Sequence, residues 1–340
     1  MPLFRSPDDL ARVLAAGPSA DERALSAARK RQSELTKPPG ALGRLEEIGI
    51  WLAGWQGTDR PHAEPVKVTV FAGNHGVAAE GVSPYPAEVT RQMVANFERG
   101  GAAINALSRA FGLALDVVAL DLDQPTQSFV RGPAMSEAEC LAALNAGAEA
   151  IGGDWAIHVF GEMGIANTTS AAAVAAATFG GSGTDWAGAG TGLDARGIAR
   201  KAVVIDDALA LHRREARSAF EILRRLGGRE LAAIAGAVAA ARAKGIPVVL
   251  DGFVATAAAA PLTLAAPGAL SHCIAGHVSA ERGHRRLLDR LGMAPLLDLG
   301  MRLGEGTGAA LAVQVLRAAA ATQSDMATFA EAGVSGSDAG

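Results

Sequence analysis

The sequence predicts an α/β protein built on a parallel sheet covered by helices on both faces. Short, continuously apolar runs alternate with longer helical stretches, the pattern of strands buried between helices. Several of these runs end in glycine-containing loops: Ala72-Gly73-Asn74-His75, Gly161-Glu162-Met163-Gly164 and Asp251-Gly252. In an open parallel sheet such loops gather outside the carboxyl ends of the strands, where ligands bind. Hydrophobic residues make up 49% of the 340 but aromatics only 4%, so the core is expected to be Ala, Val, Leu and Ile.

Residues 1–35 are polar, with helical spacing around Leu10, Val13 and Leu14 and again from Asp21. Lys37-Pro38-Pro39-Gly40 breaks that helix, because consecutive prolines remove donors and force extended backbone. A new helix is expected from Leu42 to about Trp55, with Leu45, Ile48, Ile50 and Leu52 on a mostly apolar face. Strands are expected at Val66–Phe71, Ala114–Leu120, Trp155–Phe160, Ala202–Ile205, Ile246–Leu250 and Ser271–Ala275. Helices are expected near Ala87–Phe97, Ala102–Phe111, Glu137–Ile151, Thr168–Thr178, Glu230–Lys244 and Phe253–Leu264. The alanine-rich stretches 171–178 and 232–243 read as packed helices. The last six residues of the small-residue tail are expected to be mobile.

Composition excludes several classes. A formal net charge of −4 provides no basic field for nucleic acid. Cys140 and Cys273 stand far apart, which suits a reducing cytosol better than a disulfide framework. The opening residues carry Asp8, Asp9, Asp21 and Glu22 and lack the apolar core of a signal peptide. Pro261, Pro267, Gly268 and His272 interrupt the apolar stretch Val254–Ala275, so no membrane span is expected. The protein is expected to be cytoplasmic. His272, Cys273, His277 and His284 lack zinc-site spacing, so no metal is expected.

Four segments carry the chemistry. Leu303-Gly304-Glu305-Gly306-Thr307-Gly308 sets one carboxylate among three glycines at the start of a helix. Glu305 there reads either as a general base with a raised pKa or as a capping carboxylate favoured by the helix dipole. Gly161–Ser170 follows a strand and opens a helix that Asn167, Thr168 and Thr169 can cap, leaving N–H groups for an anion such as phosphate. Glu162 would repel a phosphate and suits a ribose hydroxyl or a nitrogenous ring. Gly188–Asp194 precedes a helix holding Arg196, Arg200 and Lys201. The segment is a candidate phosphate loop, with Lys201 either aiding it or exposed. Ser83-Pro84-Tyr85-Pro86 holds the single tyrosine; with Gln92 it reads as a wall for a flat ligand or as a surface turn.

Taken in order, these segments resemble the nicotinate-nucleotide:dimethylbenzimidazole phosphoribosyltransferase family of cobalamin nucleotide-loop assembly. The resemblance begins with Lys37-Pro38-Pro39-Gly40-Ala41-Leu42-Gly43-Arg44-Leu45-Glu46 and Phe71–Val77. It continues through Ser83–Met93, Gly161–Thr169, Gly188–Asp194, His277–His284, Pro295–Leu299 and Arg302–Ala310, spanning about residues 29–335. It implies a homodimer, with a doubly wound, Rossmann-like α/β domain at residues 60–300. A small helical domain would be formed by residues 1–59 and 301–340. It implies transfer of 5-phosphoribose from nicotinate mononucleotide to 5,6-dimethylbenzimidazole or a related base, without metal or cofactor. The products would be α-ribazole 5′-phosphate and nicotinate. Glu305 matches the family's catalytic base. Ser83, Tyr85, Gln92 and Leu303 fall in the base pocket. Glu162 (a second catalytic candidate), Gly164, Asn167, Thr168, Gly190 and Lys201 fall around the ribose, phosphate and leaving nicotinate. One departure is Ala166, where glycine is expected.

Two rival readings stand beside this one. Val203-Val204-Ile205-Asp206-Asp207 resembles the two-acid motif of pyrophosphate-dependent phosphoribosyltransferases. Ala208–His212 follows in place of their Thr-Gly-rich phosphate loop. A small-ligand sensor on the same fold would bind without turnover.

Overall fold

The computed structural model describes residues 2–335, so five of the six tail residues expected to be mobile lie outside the described residues. Five strands form one parallel sheet: β1 (Val66–Gly73), β2 (Ala114–Leu120), β3 (Ile157–Met163), β4 (Val248–Leu250) and β5 (Cys273–Ala275). Their order is β2-β1-β3-β4-β5, with Val66 opposite Ile157 and Lys67 opposite Ala114. The chain winds outward on one side of β1 and then on the other. This doubly wound pattern opens a crevice where the winding reverses, outside the ends of β1 and β3.

The first helices are α1 (Asp8–Ala16), α2 (Glu22–Glu34), α3 (Arg44–Gln56), α4 (Glu88–Glu98), α5 (Ala103–Phe111) and α6 (Glu137–Glu149). Next come α7 (Asn167–Phe179), α8 (Gly183–Trp186), α9 (Ala195–His212), α10 (Ala219–Leu226) and α11 (Arg229–Lys244). The chain continues with α12 (Phe253–Ala259), α13 (Leu262–Ala265), α14 (Arg282–Leu291), α15 (Thr307–Asp325) and α16 (Phe329–Ala332).

Side chains alternate across the sheet. Val66, Val68, Val70, Ile157 and Val159 share a core with Ile48, Leu52, Ile104, Val313 and Leu316. Phe71, Phe160 and Leu250 join the alanine-rich core of α7, α11 and α12. Few aromatics are needed because helices approach closely. A Cβ on Gly236 would lie 2.0 Å from the Leu144 carbonyl oxygen, and one on Gly147 would lie 1.8 Å from that of Ala233. The two ends of the chain meet: Arg31 Nε donates to the Gln323 carbonyl at 2.8 Å, and Gln32 Nε2 to Gln323 Oε1 at 2.6 Å.

The strand expected at Ala202–Ile205 is instead the middle of α9. The Asp194 carboxylate accepts from the Gly197 N–H and starts an 18-residue helix. Lys201, Ile205, Ala208 and His212 are buried while Val203 is exposed, a helical period that the short β-branched run masked. The helix expected over Phe253–Leu264 is divided in two, because Pro261 cannot continue it.

Candidate active site

The cleft at the winding switch is lined by Glu162–Ile165, Asn167 and Thr168, Gly190 and Thr191, Gly252–Val254, three residues near β5 and Arg302–Gly304. Roomier hollows between α7, α9 and α10 and between α2 and α3 lie away from the carboxyl ends of the strands.

Glu305 stands beside the cleft in an unusual backbone. Gly304, Glu305 and Gly306 have φ of +84°, +63° and +84°, three consecutive left-handed residues, of which only the middle carries a side chain. A non-glycine residue there costs about 1–2 kcal/mol. The Glu305 N–H donates to the Glu162 carbonyl at 3.2 Å, locking the loop to the end of β3. That approach needs Gly161, whose Cβ would fall 2.3 Å from the Gly306 nitrogen. Glu305 is only 3% exposed, and its Oε2 has no hydrogen-bond partner among the described residues. Burial pushes its pKa up; the Ile104 N–H opposes this, and the Asp251 carboxylate adds to the rise. A buried carboxylate with one oxygen unpartnered, held in strained backbone, is poised to take a proton.

Glu162 shares a short hydrogen bond with the Asn167 side-chain amide. Burial pushes its pKa up to about 8; that bond opposes the rise, while Asp251, Glu230 and Glu305 reinforce it. At neutral pH Glu162 is therefore mostly uncharged. This removes the repulsion expected between a carboxylate and a phosphate beside α7.

The expected cap of α7 is corrected here. Asn167, Thr168 and Thr169 lie inside the helix, the cap position is Ala166 at φ +73°, and no side chain caps the turn. That left-handed conformation suits the glycine that the resemblance led us to expect at 166. It frees the Asn167 amide for Glu162 and the Thr168 hydroxyl to accept from Lys201 Nζ at 2.7 Å. Lys201 Nζ also reaches the Gly188 carbonyl at 3.3 Å. Burial lowers the Lys201 pKa to about 8, with Glu281 opposing. Arg302 Nη1 donates to the Gly190 carbonyl at 3.2 Å, tying the glycine loop to the segment before Glu305.

Asp251, just past β4, was noted in the sequence only as a loop residue. Its Oδ2 accepts from the Gly306 N–H at 3.1 Å and its Oδ1 from the Ala309 N–H at 2.8 Å. It thus caps α15 from 55 residues away, where the helix's own cap position is a glycine. Burial raises its pKa; His277, 3.6 Å away, and the helix N–H groups oppose that. Glu281 and Arg302 also enter the cleft without having been singled out, and so does His277, which the sequence raised only as a rejected metal ligand; each stands in one of the matched segments. His272 and His284 are buried, the latter accepting from the Ser279 N–H at 2.8 Å.

Ser83, Tyr85 and Gln92 do not line the cleft; Tyr85 is 50% exposed on the loop before α4, and its N–H donates to Ser83 Oγ. The helix that carries Gln92 nevertheless adjoins the site, since the Ile165 N–H donates to Thr90 Oγ1 at 3.1 Å. Leu303 lines the cleft and is 58% exposed. Exposed apolar groups beside a polar cleft suit a flat, partly apolar ligand. Among the described residues no three His, Cys, Asp or Glu side chains converge as a metal site, and no helix is long and apolar enough to cross a membrane.

Comparison with known proteins decides the family. A family model described as a phosphoribosyltransferase matches residues 18–334. A nicotinate-nucleotide–dimethylbenzimidazole phosphoribosyltransferase of Novosphingobium aromaticivorans is 60% identical over 317 residues, covering 93% of this chain and 94% of its own. The chain belongs to this family. The enzyme of the same name from Ruegeria pomeroyi is 58% identical to this phosphoribosyltransferase, covering 95% of this chain and 96% of its own. A crystal structure of the Thermus thermophilus enzyme superposes with a TM-score of 0.87 at 44% identity, covering 93% of this chain and 99% of that one. In this phosphoribosyltransferase, the fold places Glu162, Gly164, Asn167, Thr168, Gly190 and Leu303 around one cleft. It adds Lys201 through Thr168 and Glu305 through the Glu162 carbonyl.

Proposed function

We propose that the protein transfers 5-phosphoribose from nicotinate mononucleotide to 5,6-dimethylbenzimidazole or a related base, with Glu305 as general base. The observation that carries this reading is the strained, buried Glu305 beside the cleft, with one carboxylate oxygen unpartnered among the described residues. One ring nitrogen of the neutral base attacks the anomeric carbon from the face opposite the pyridinium. The carbon–nitrogen bond to nicotinate breaks, and its electron pair leaves with the nicotinate nitrogen. The other ring nitrogen then sheds its proton to Glu305, giving α-ribazole 5′-phosphate and nicotinate. The departing ring already carries positive charge at nitrogen, so the protein's main tasks are alignment and proton removal.

Asn167, Thr168, Gly190 and Lys201 are assigned to ribose and phosphate, and Ser83, Tyr85, Gln92 and Leu303 to the base. Gly164 is assigned to the phosphoribosyl side and neutral Glu162 to the sugar or leaving ring. A homodimer, a cytoplasmic location and a small unit formed by the terminal helices complete the reading.

Two carboxylates in different states predict a bell-shaped pH profile. Activity falls at low pH as Glu305 takes a proton, above the ordinary carboxylate range because its pKa is raised. It falls again near pH 8 as Glu162 ionises. Glu162→Gln should remove the alkaline limb. The same shift destabilises the fold as pH rises from about 4.5 through about 8, because ionisation is easier in the unfolded chain. The variant should therefore melt higher than the wild type at alkaline pH and similarly in acid.

The decisive assay incubates purified protein with nicotinate mononucleotide and 5,6-dimethylbenzimidazole, without metal, and separates the products by chromatography. Equal release of nicotinate and riboside phosphate supports the reading. Binding of both ligands without turnover overturns it.

A further inference from the structure

Beneath the cleft lies a chain of polar groups that the mechanism above does not use. Ser170 Oγ stands 2.9 Å from His75 Nδ1, and His75 Nε2 stands 2.5 Å from Glu230 Oε1. Ser170 and Glu230 are fully buried and His75 is 2% exposed. The three come from three elements: the turn after β1, the first turn of α7 and the first turn of α11. The molecule makes room for them with glycines. A Cβ on Gly73 would lie 2.6 Å from Glu230 Oε2, one on Gly164 2.8 Å from Glu230 Oε1, and one on Gly228 2.1 Å from His75 Cε1. Gly164 itself lines the cleft, so Glu230 sits one layer of backbone below it.

A packed apolar cluster would stabilise this position better than a buried imidazole and carboxylate, and the carboxylate's Oε2 has no partner among the described residues. The arrangement therefore calls for a role beyond cohesion. We propose that Ser170, His75 and Glu230 form a positioning relay for the transfer site. The relay anchors the first turn of α7 so that Asn167 and Thr168 meet the phosphoribosyl group, and it holds the Glu230 carboxylate in place under Gly164. This inference rests on the assignment of the cleft made above.

Three carboxylates act on Glu162, Asp251 past β4, Glu230 on α11 and Glu305 before α15, and the Asn167 amide on α7 bonds it; His277, Glu281 and Arg302 line the same cleft. Removing the Glu230 charge makes Glu162 easier to ionise. Loosening Ser170 moves Asn167 and Thr168, which face the donor substrate, while Glu305 stays held by β3 and Asp251.

The test compares the full-length wild type with Ser170→Ala, His75→Gln and Glu230→Gln by steady-state kinetics across the pH range, with thermal melting in parallel. Ser170→Ala and His75→Gln should raise KM for nicotinate mononucleotide, by as much as about 10²-fold, with a smaller change in KM for the base. Glu230→Gln should move the alkaline limb down by about one pH unit. Ser170→Ala, the mildest change, serves if the other variants fail to fold. Variants that melt like the wild type and keep its KM and alkaline limb would overturn the relay. An inactive wild type overturns the functional reading itself, and the relay with it.

Discussion

Glu305→Gln should retain the fold and lower turnover by about 10²–10⁴-fold, the ordinary contribution of a general base. The same substitution should raise the melting temperature, because it removes an ionisable group whose charged form is disfavoured by burial. Glu305→Gly should be at least as inactive and more stable still. It relieves a left-handed residue at φ +63° that costs about 1–2 kcal/mol. Stability and activity should thus move in opposite directions, as expected where strain is kept for function. Calorimetry and the product assay on both variants check this. Near-wild-type turnover in Glu305→Gln would remove the base from its role.

The second large effect is expected at Asp251, which touches Glu305 only through backbone. Asp251→Ala leaves the Gly306 and Ala309 N–H groups without their acceptor in a site 1% exposed. Each unmade bond costs about 1–3 kcal/mol, so the melting temperature should fall. The start of α15 should relax and carry Glu305 with it. A displacement near 1 Å costs about 10²-fold in rate. Asp251→Asn keeps an acceptor oxygen and loses the charge, so it should fall between the wild type and Asp251→Ala in both measurements. An Asp251→Ala variant with wild-type kcat would show that Glu305 is placed by the Glu162 carbonyl and Gly161 alone.

Much of the architecture was legible because local pattern and global fold agree. Ala114–Leu120 was read at its observed bounds, and the other observed strands were read with ends shifted by a few residues. The exception, Ala202–Ile205, shows the limit of short apolar runs. Four β-branched or small residues fit either period, and the Asp194 cap and the burial of Lys201 decide for helix. Gly-rich loops after strands pointed to the cleft, because strand ends in a parallel sheet converge whatever their distance in sequence.

By itself the sequence determined the α/β class, the glycine-flanked Glu305, the Gly161–Ser170 loop and the order of segments that marks the family. Those are properties of neighbouring residues, and spacing records them. Only the tertiary structure decided that Asp251 caps α15, that burial raises the Glu162 pKa, and that Ser170, His75 and Glu230 meet under Gly164. Those depend on burial and on contacts across 55 to 155 residues of chain, which no local pattern encodes.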